Sequence, residues 1–255
     1  MAIDSHRHFW HYTPEEFGWV ASDALKRDFL PSDCSGMDDC VAVEARQSIE
    51  ETKWLLSLAR EHSFIRAVVG WLPIAADDFS EYLDMFSGEK ALAALRHVIQ
   101  DEPDDGFILR KDFMRGARAL LARGYAYDIL VFERHLPNVV KFVDAMPDDA
   151  RLVLDHMGKP HSLEPWRTRM KELARRENLY CKISGLVTET GKDNLSPYLE
   201  IALETFGPER TMFGSDWPVV TADMEYREWK SRVEAAAAGE AEKILELNAR
   251  KFYGI

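Results

Sequence analysis

The chain has 255 residues, of which 46% are apolar, and a formal net charge of −12. That length and composition suit one large domain with a full core, and the acidic balance argues against a polyanion such as DNA as partner. No apolar stretch approaches the roughly 18 residues that a bilayer span requires, and the start Met1-Ala2-Ile3-Asp4-Ser5-His6 lacks the basic opening and apolar run of an export signal.

Short runs rich in apolar and β-branched residues recur along the chain, at 2–4, 41–45, 66–71, 94–99, 126–131, 151–155, 179–184 and 211–214. They are apolar on both faces, as strands of a covered parallel sheet should be. Helical patterns lie between them. Ser48 and Glu51 form a candidate capping box ahead of Trp54, Leu55 and Leu58. Pro137 opens a helix with Val139, Val140 and Val143 on one side. Residues 164–177 are charged and periodic, and Ser196-Pro197 starts a further helix carrying Leu199, Ile201, Ala202 and Phe206. Residues 10–39 contain Pro14, Gly18, Pro31 and Gly36 and no clear long helix, so they are expected to fold over one end of the sheet. Residues 101–105 make a short acidic connection.

Eight strand candidates alternating with helices predict an α/β fold, either a closed barrel or a doubly wound open sheet. A dinucleotide-binding sheet would want a glycine-rich turn after its first strand. Here that strand runs into His6-Arg7-His8-Phe9-Trp10, which favours a single-domain (β/α)8 TIM barrel over 1–255. The three cysteines, Cys34, Cys40 and Cys181, form no C-x-x-C pair. A reduced, cytoplasmic setting follows as the expectation.

Three strand ends carry candidate chemistry. Side chains alternate along a strand, so Asp4, His6 and His8 are expected on one face, and two converging imidazoles suit a zinc-type ion. Alone, a His-x-His is as readily a pair of loop histidines stacked near Phe9 and Trp10. The second end is Val153-Leu154-Asp155-His156-Met157-Gly158-Lys159-Pro160. The third is Met212-Phe213-Gly214-Ser215-Asp216-Trp217-Pro218. A solitary Asp216 would more often cap a turn. In a barrel, however, the ends of strands one, six and eight open onto one bowl, where the chemistry of this fold sits.

This constellation resembles the amidohydrolase superfamily. Val68-Val69-Gly70-Trp71, Leu95-Arg96-His97-Val98-Ile99-Gln100-Asp101-Glu102, Tyr127-Asp128-Ile129-Leu130-Val131 and Cys181-Lys182-Ile183-Ser184-Gly185-Leu186-Val187-Thr188-Glu189 extend the likeness over nearly the whole chain. Together with the histidine and aspartate motifs they resemble the sugar-lactonase branch. That branch includes L-fuconolactone and L-rhamnonolactone hydrolases and, more distantly, 2-pyrone-4,6-dicarboxylate lactonase.

The resemblance implies opening of a small sugar-derived lactone by water. Asp216 would be the general base, and His6, His8 and His156 or a bound ion would polarise the carbonyl. One zinc on His6, His8, His156 and Asp216 is the expected cofactor, and a metal-free site is the alternative. A two-metal site is not expected, because strand five offers Asp128 and no histidine before His135. Arg96, His97 and Gln100 are the expected substrate-binding cluster, with Trp10 and Trp71 as apolar walls. For Arg96 an ion pair with the acidic 101–105 loop is the competing reading, for His97 an outward-facing position. Lys182, in an apolar strand, needs a carboxylate partner such as Asp155 or Asp216, in a structural role. Arg7 and Leu72-Pro73-Ile74 depart from the branch, where glutamine and an acidic residue are common, and leave the sugar open. The rival readings are a metal-dependent decarboxylase of the same superfamily and a non-catalytic barrel that binds a sugar acid. A homodimer is the working assumption for assembly.

Overall fold

The computed structural model describes residues 2–255. Eight parallel strands are hydrogen-bonded in chain order: β1 Ile3–Arg7, β2 Asp39–Val43, β3 Ile65–Gly70, β4 Leu92–Val98, β5 Ala126–Leu130, β6 Leu152–Leu154, β7 Leu179–Ile183 and β8 Thr211–Phe213. All eight fall where the apolar runs place them. The helices are α1 Ile49–Glu61, α2 Phe79–Met85, α3 Lys111–Ala122, α4 Leu136–Asp144, α5 Leu163–Leu173, α6 Leu186–Thr190, α7 Leu195–Phe206, α8 Tyr226–Ala236 and α9 Asn248–Tyr253. This is a (β/α)8 barrel.

Alternation along the strands builds two cores. Ile3, Val41, Val43, Ala67, Val69, Ala94, Ala126, Val153 and Met212 pack inside the barrel, where Ala249, Phe252 and Tyr253 of α9 join them. Their neighbours, such as Cys40, Ala42, Leu95 and Leu154, pack outward against the helices. Gly116 of α3 shows how tight that outer layer is, because a Cβ there would stand 1.9 Å from the Ile74 carbonyl oxygen. At α1 half of the capping box forms. Ser48 Oγ accepts from Glu51 N at 3.3 Å, but the Glu51 carboxylate turns to Ala45 N and Arg46.

The barrel closes between β8 and β1, mainly beyond the last residue of β8. Asp216 N donates to His6 O at 2.9 Å and His8 N donates to Trp217 O at 2.7 Å. The closing seam therefore brings the first and last candidate motifs together. Residues 10–39 lie over this end without a long helix, carrying only short helical turns at Asp23–Leu25 and Pro31–Cys34. No helix among the described residues is long and apolar enough to cross a membrane.

Candidate active site

A register shift in β1 between Asp4 and Arg7 decides which side chains enter the bowl. An extra residue in a strand reverses the alternation beyond it. Ile3 points inside and Asp4 outward, yet His6 and His8 both face the bowl. The expectation that Asp4 shares their face is thus corrected. Its carboxylate instead accepts from Ser215 N at 2.7 Å and Ser215 Oγ at 2.6 Å. It fastens the turn that carries Asp216.

His156 arrives by a different device. β6 ends at Leu154, and His156, Met157, Gly158 and Lys159 all take positive φ. Left-handed backbone costs a non-glycine residue on the order of 1 kcal/mol. Here it turns the imidazole back over the bowl. Asp216 also sits at φ 59°, a region that Asp and Asn tolerate better than most residues.

The three rings surround one carboxylate oxygen. Asp216 Oδ1 lies 3.3 Å from His8 Nε2, 3.8 Å from His6 Nε2 and 4.0 Å from His156 Nε2. The opposite ring atoms are held. His8 Nδ1 is 2.8 Å from the Val43 carbonyl oxygen, which only accepts, so Nδ1 carries the proton and Nε2 faces Asp216. His156 Nδ1 is 2.9 Å from Ser184 Oγ, and His6 Nδ1 is 3.4 Å from Asp155 Oδ1. Burial pushes the His6 and His156 pKa values well below the ordinary imidazole value. Burial alone would raise Asp216, but the neighbouring His156, His8 and Lys159 outweigh it and hold the carboxyl below its usual range.

This donor set fits a divalent ion. Three imidazoles present ring nitrogens to a buried carboxylate, an arrangement that a cation between them would relieve. The ligand atoms of His6, His8 and Asp216 lie within 4.8 Å of one another. Those of His6, Asp155 and His156 do so too.

Gly185, between β7 and α6, guards the ring of His156. It has φ 65°, and a Cβ there would stand 2.6 Å from His156 Nδ1. Gly185→Ala is expected to lower turnover about tenfold or more by pushing the imidazole off its position. A steady-state kcat on the folded variant checks this, and turnover within twofold of the parent would show that the ring has room to move.

His8, His156, Gly185 and Asp216 line a cavity of about 310 Å³, together with Arg96, Val98 and Gln100 along β4 and just beyond it, while His6 is fully buried beneath them. Arg96 is 3% exposed. Its partners are Glu44 Oε1 at 2.8 Å, Asp155 Oδ2 at 3.2 Å and the Glu44 carbonyl, so the expected competitor, the 101–105 loop, is not among them. Asp105 of that loop binds Arg134 and His135 instead.

His97 points to the helix side. It binds Glu102 at 2.6 Å, accepts from Trp71 Nε1 at 3.2 Å and stacks on Phe107, and neither it nor Trp71 lines the cavity. Trp10 is core, donating to Arg27 O at 2.8 Å and packed on Phe29. The aromatic wall comes from Trp19, which is 47% exposed and reaches the cavity from the long 10–39 segment. The sequence reading missed Trp19 and Glu44. Glu44 had a signal, a lone carboxylate inside the otherwise apolar run at 41–45.

The amidohydrolase family profile matches residues 3–255. The chain is 40% identical over 261 residues to an L-fucono-1,5-lactonase of Burkholderia multivorans, covering 92% of this chain and 88% of that protein. It is 35% identical over 233 residues to an L-fucono-1,5-lactonase of Burkholderia ambifaria, covering 85% and 80% of the two chains. A solved amidohydrolase from Burkholderia multivorans with bound zinc superposes with a TM-score of 0.93 at 38% identity, covering 100% of this chain and 99% of the other. The barrel, the histidine–aspartate centre and these matches agree: the chain belongs to the amidohydrolase family.

Proposed function

We propose that the chain hydrolyses a small sugar-derived lactone of the L-fuconolactone or L-rhamnonolactone kind. The observation that carries this reading is Asp216 Oδ1 ringed by three imidazole nitrogens on the wall of a cavity sized for a sugar ring. Asp216, held ionised, takes a proton from water as that water attacks the lactone carbonyl. The ring C–O bond breaks, and Asp216 returns the proton to the leaving ring oxygen. His8 and His156 face the same point and steady the reacting oxygens. A zinc ion, when bound, supplies positive charge toward the carbonyl, and His6, His8, His156 and Asp216 would hold it. The zinc in the Burkholderia multivorans relative supports that choice of ion.

The cavity suits a ring with polar and apolar faces. Gln100 Oε1 is buried with no partner among the described residues and accepts a substrate hydroxyl. Trp19, Val98, Leu130 and Val219 line the apolar side. The three cysteines are free and buried, in keeping with a reducing cytoplasm.

A panel of aldonolactones in a weakly buffered pH indicator, with and without chelator, tests the reaction. L-Fuconolactone or L-rhamnonolactone should release a proton as it opens. Carbon dioxide release, or sugar-acid binding without turnover, would replace the reading with one of its rivals. The pH profile adds a second check. The base acts when ionised and its pKa is held below the usual carboxylate range, so activity is lost only when the pH falls through that lowered value. His6 and His156 stay neutral above their depressed values. After subtraction of spontaneous hydrolysis, kcat/KM should be flat from about pH 6 to about pH 8, where an ordinary histidine base would titrate. A step near neutrality would assign the base to an imidazole instead.

A further inference from the structure

We propose that Arg96 is a catalytic residue, whose guanidinium donates to the lactone carbonyl oxygen as negative charge builds there. This rests on the lactonase reading above. Arginine carries five N–H donors in a planar fork. Four of them have partners in the wall. Nε–H goes to Glu44 Oε1, one Nη2–H goes to the Glu44 carbonyl, and Nη1 reaches Asp155 Oδ2 and, at 3.2 Å, His6 Nε2. The fifth, on Nη2, has no partner among the described residues, and Arg96 lines the cavity.

The placement suits the developing charge. His6 Nε2 is 3.2 Å from Arg96 Nη1 and 3.8 Å from Asp216 Oδ1. Base and guanidinium therefore both lie within 4 Å of one His6 nitrogen, on the same small site. Water takes its place beside Asp216, its oxygen bonds to the carbonyl carbon, and the π electrons move onto the carbonyl oxygen beside Arg96. When the tetrahedral centre collapses, those electrons return and the ring C–O bond breaks.

Nothing in this sequence requires the arginine to move. Carboxylates from two other strand ends clamp it, Glu44 after β2 and Asp155 after β6. A donor fixed in advance in a buried wall stabilises an oxyanion without the reorganisation that water would need. Glu44 already balances its charge toward a neutral substrate, so the interaction gains most in the transition state. That is the signature of an effect on kcat rather than on KM.

Two variants test this beside the parent. Arg96→Lys keeps a cation near Glu44 but removes the planar fork. Arg96→Met with Glu44→Gln removes both charges together, so no lone carboxylate is left by the exchange. Each folded variant is expected to lose about 100-fold or more in kcat with KM changed less than about threefold. Added guanidinium chloride should partly restore the double variant at constant melting temperature, and sodium chloride should not. A folded variant with kcat within about threefold of the parent, or a loss seen only in KM, would overturn the proposal. Loss confined to variants that no longer fold would make Arg96 structural and overturn it as well. If the parent itself opens no lactone, the reaction assignment fails and this role falls with it. Turnover by the parent with active Arg96 variants sinks the role alone.

Discussion

Asp216→Asn is expected to fold like the parent and to lose about 1,000-fold or more in lactone turnover, the upper part of the range for removing a general base. The fold should survive for a local reason. Asp216 has φ 59°, and asparagine is the other residue that adopts this region readily. The backbone bond from residue 216 to His6 O, at 2.9 Å, does not depend on the side chain. Nor does the Asp4–Ser215 fastening that shapes the turn.

The chemistry should not survive. An amide has no proton affinity to offer the attacking water and carries no charge to face three imidazole nitrogens. A circular dichroism spectrum and a melting temperature close to the parent's, with kcat reduced as stated, is the expected pair of results. Parent-like turnover by a pure, folded Asp216→Asn protein would show that another group takes the proton. The neighbouring imidazoles are poor replacements, because burial depresses the pKa values of His6 and His156.

How much of this was readable beforehand follows from what each kind of pattern encodes. Apolar runs separated by amphipathic helices reveal a covered parallel sheet, and even the three-residue strands β6 and β8 were legible because turn-forming motifs bound them. Period-two alternation, however, says which residues share a face and not which face looks inward. Arg96 and His97 are neighbours with opposite fates: one lines the cavity, the other stacks on Phe107. Alternation also fails wherever a residue is inserted. The irregularity in β1 sends Asp4 outward while His6 and His8 turn in, and no local residue announces it. Loop walls were the least legible. Trp10 and Trp19 sit nine positions apart in one irregular segment, and only the tertiary path puts the first in the core and the second over the cavity. Lys182 was legible in kind and in one of its two partners, Asp155, while Asp128 went unforeseen. Burial demanded a carboxylate, and the structure supplies Asp128 and Asp155 rather than Asp216.

That cluster sets the second large effect, which is on stability. Lys182→Met is expected to destabilise the protein by about 3–5 kcal/mol, the range for breaking a buried ion pair by removing one partner. Lys182 Nζ is fully buried, bonded to the Asp128 carboxylate and 3.0 Å from Asp155 Oδ1. Tyr253 of α9 donates to the same Asp128 oxygen at 2.8 Å, so the cluster ties the C-terminal helix to the barrel interior. The two carboxylates are not equivalent. Burial would raise Asp155, but Lys182, His6 and Arg96 together hold it well below the usual carboxylate range. Asp128 faces the same burial with Lys182 as its near cation, and its pKa is pushed up to about 6.

Without Lys182, both carboxylates lose attraction and become harder to ionise in the folded state. A group whose folded pKa is raised binds a proton more readily folded than unfolded, so its ionisation costs stability as pH rises. The deficit of Lys182→Met against the parent should therefore be larger near pH 8 than near pH 5. Adding Asp128→Asn should recover part of it by removing the carboxylate left without a nearby cation, since Asp155 keeps Arg96. Urea unfolding of the parent and both variants at the two pH values measures this directly. A single variant as stable as the parent, or a deficit unchanged between acid and alkaline buffer, would mean that Lys182 is not what keeps two carboxylates charged inside the barrel.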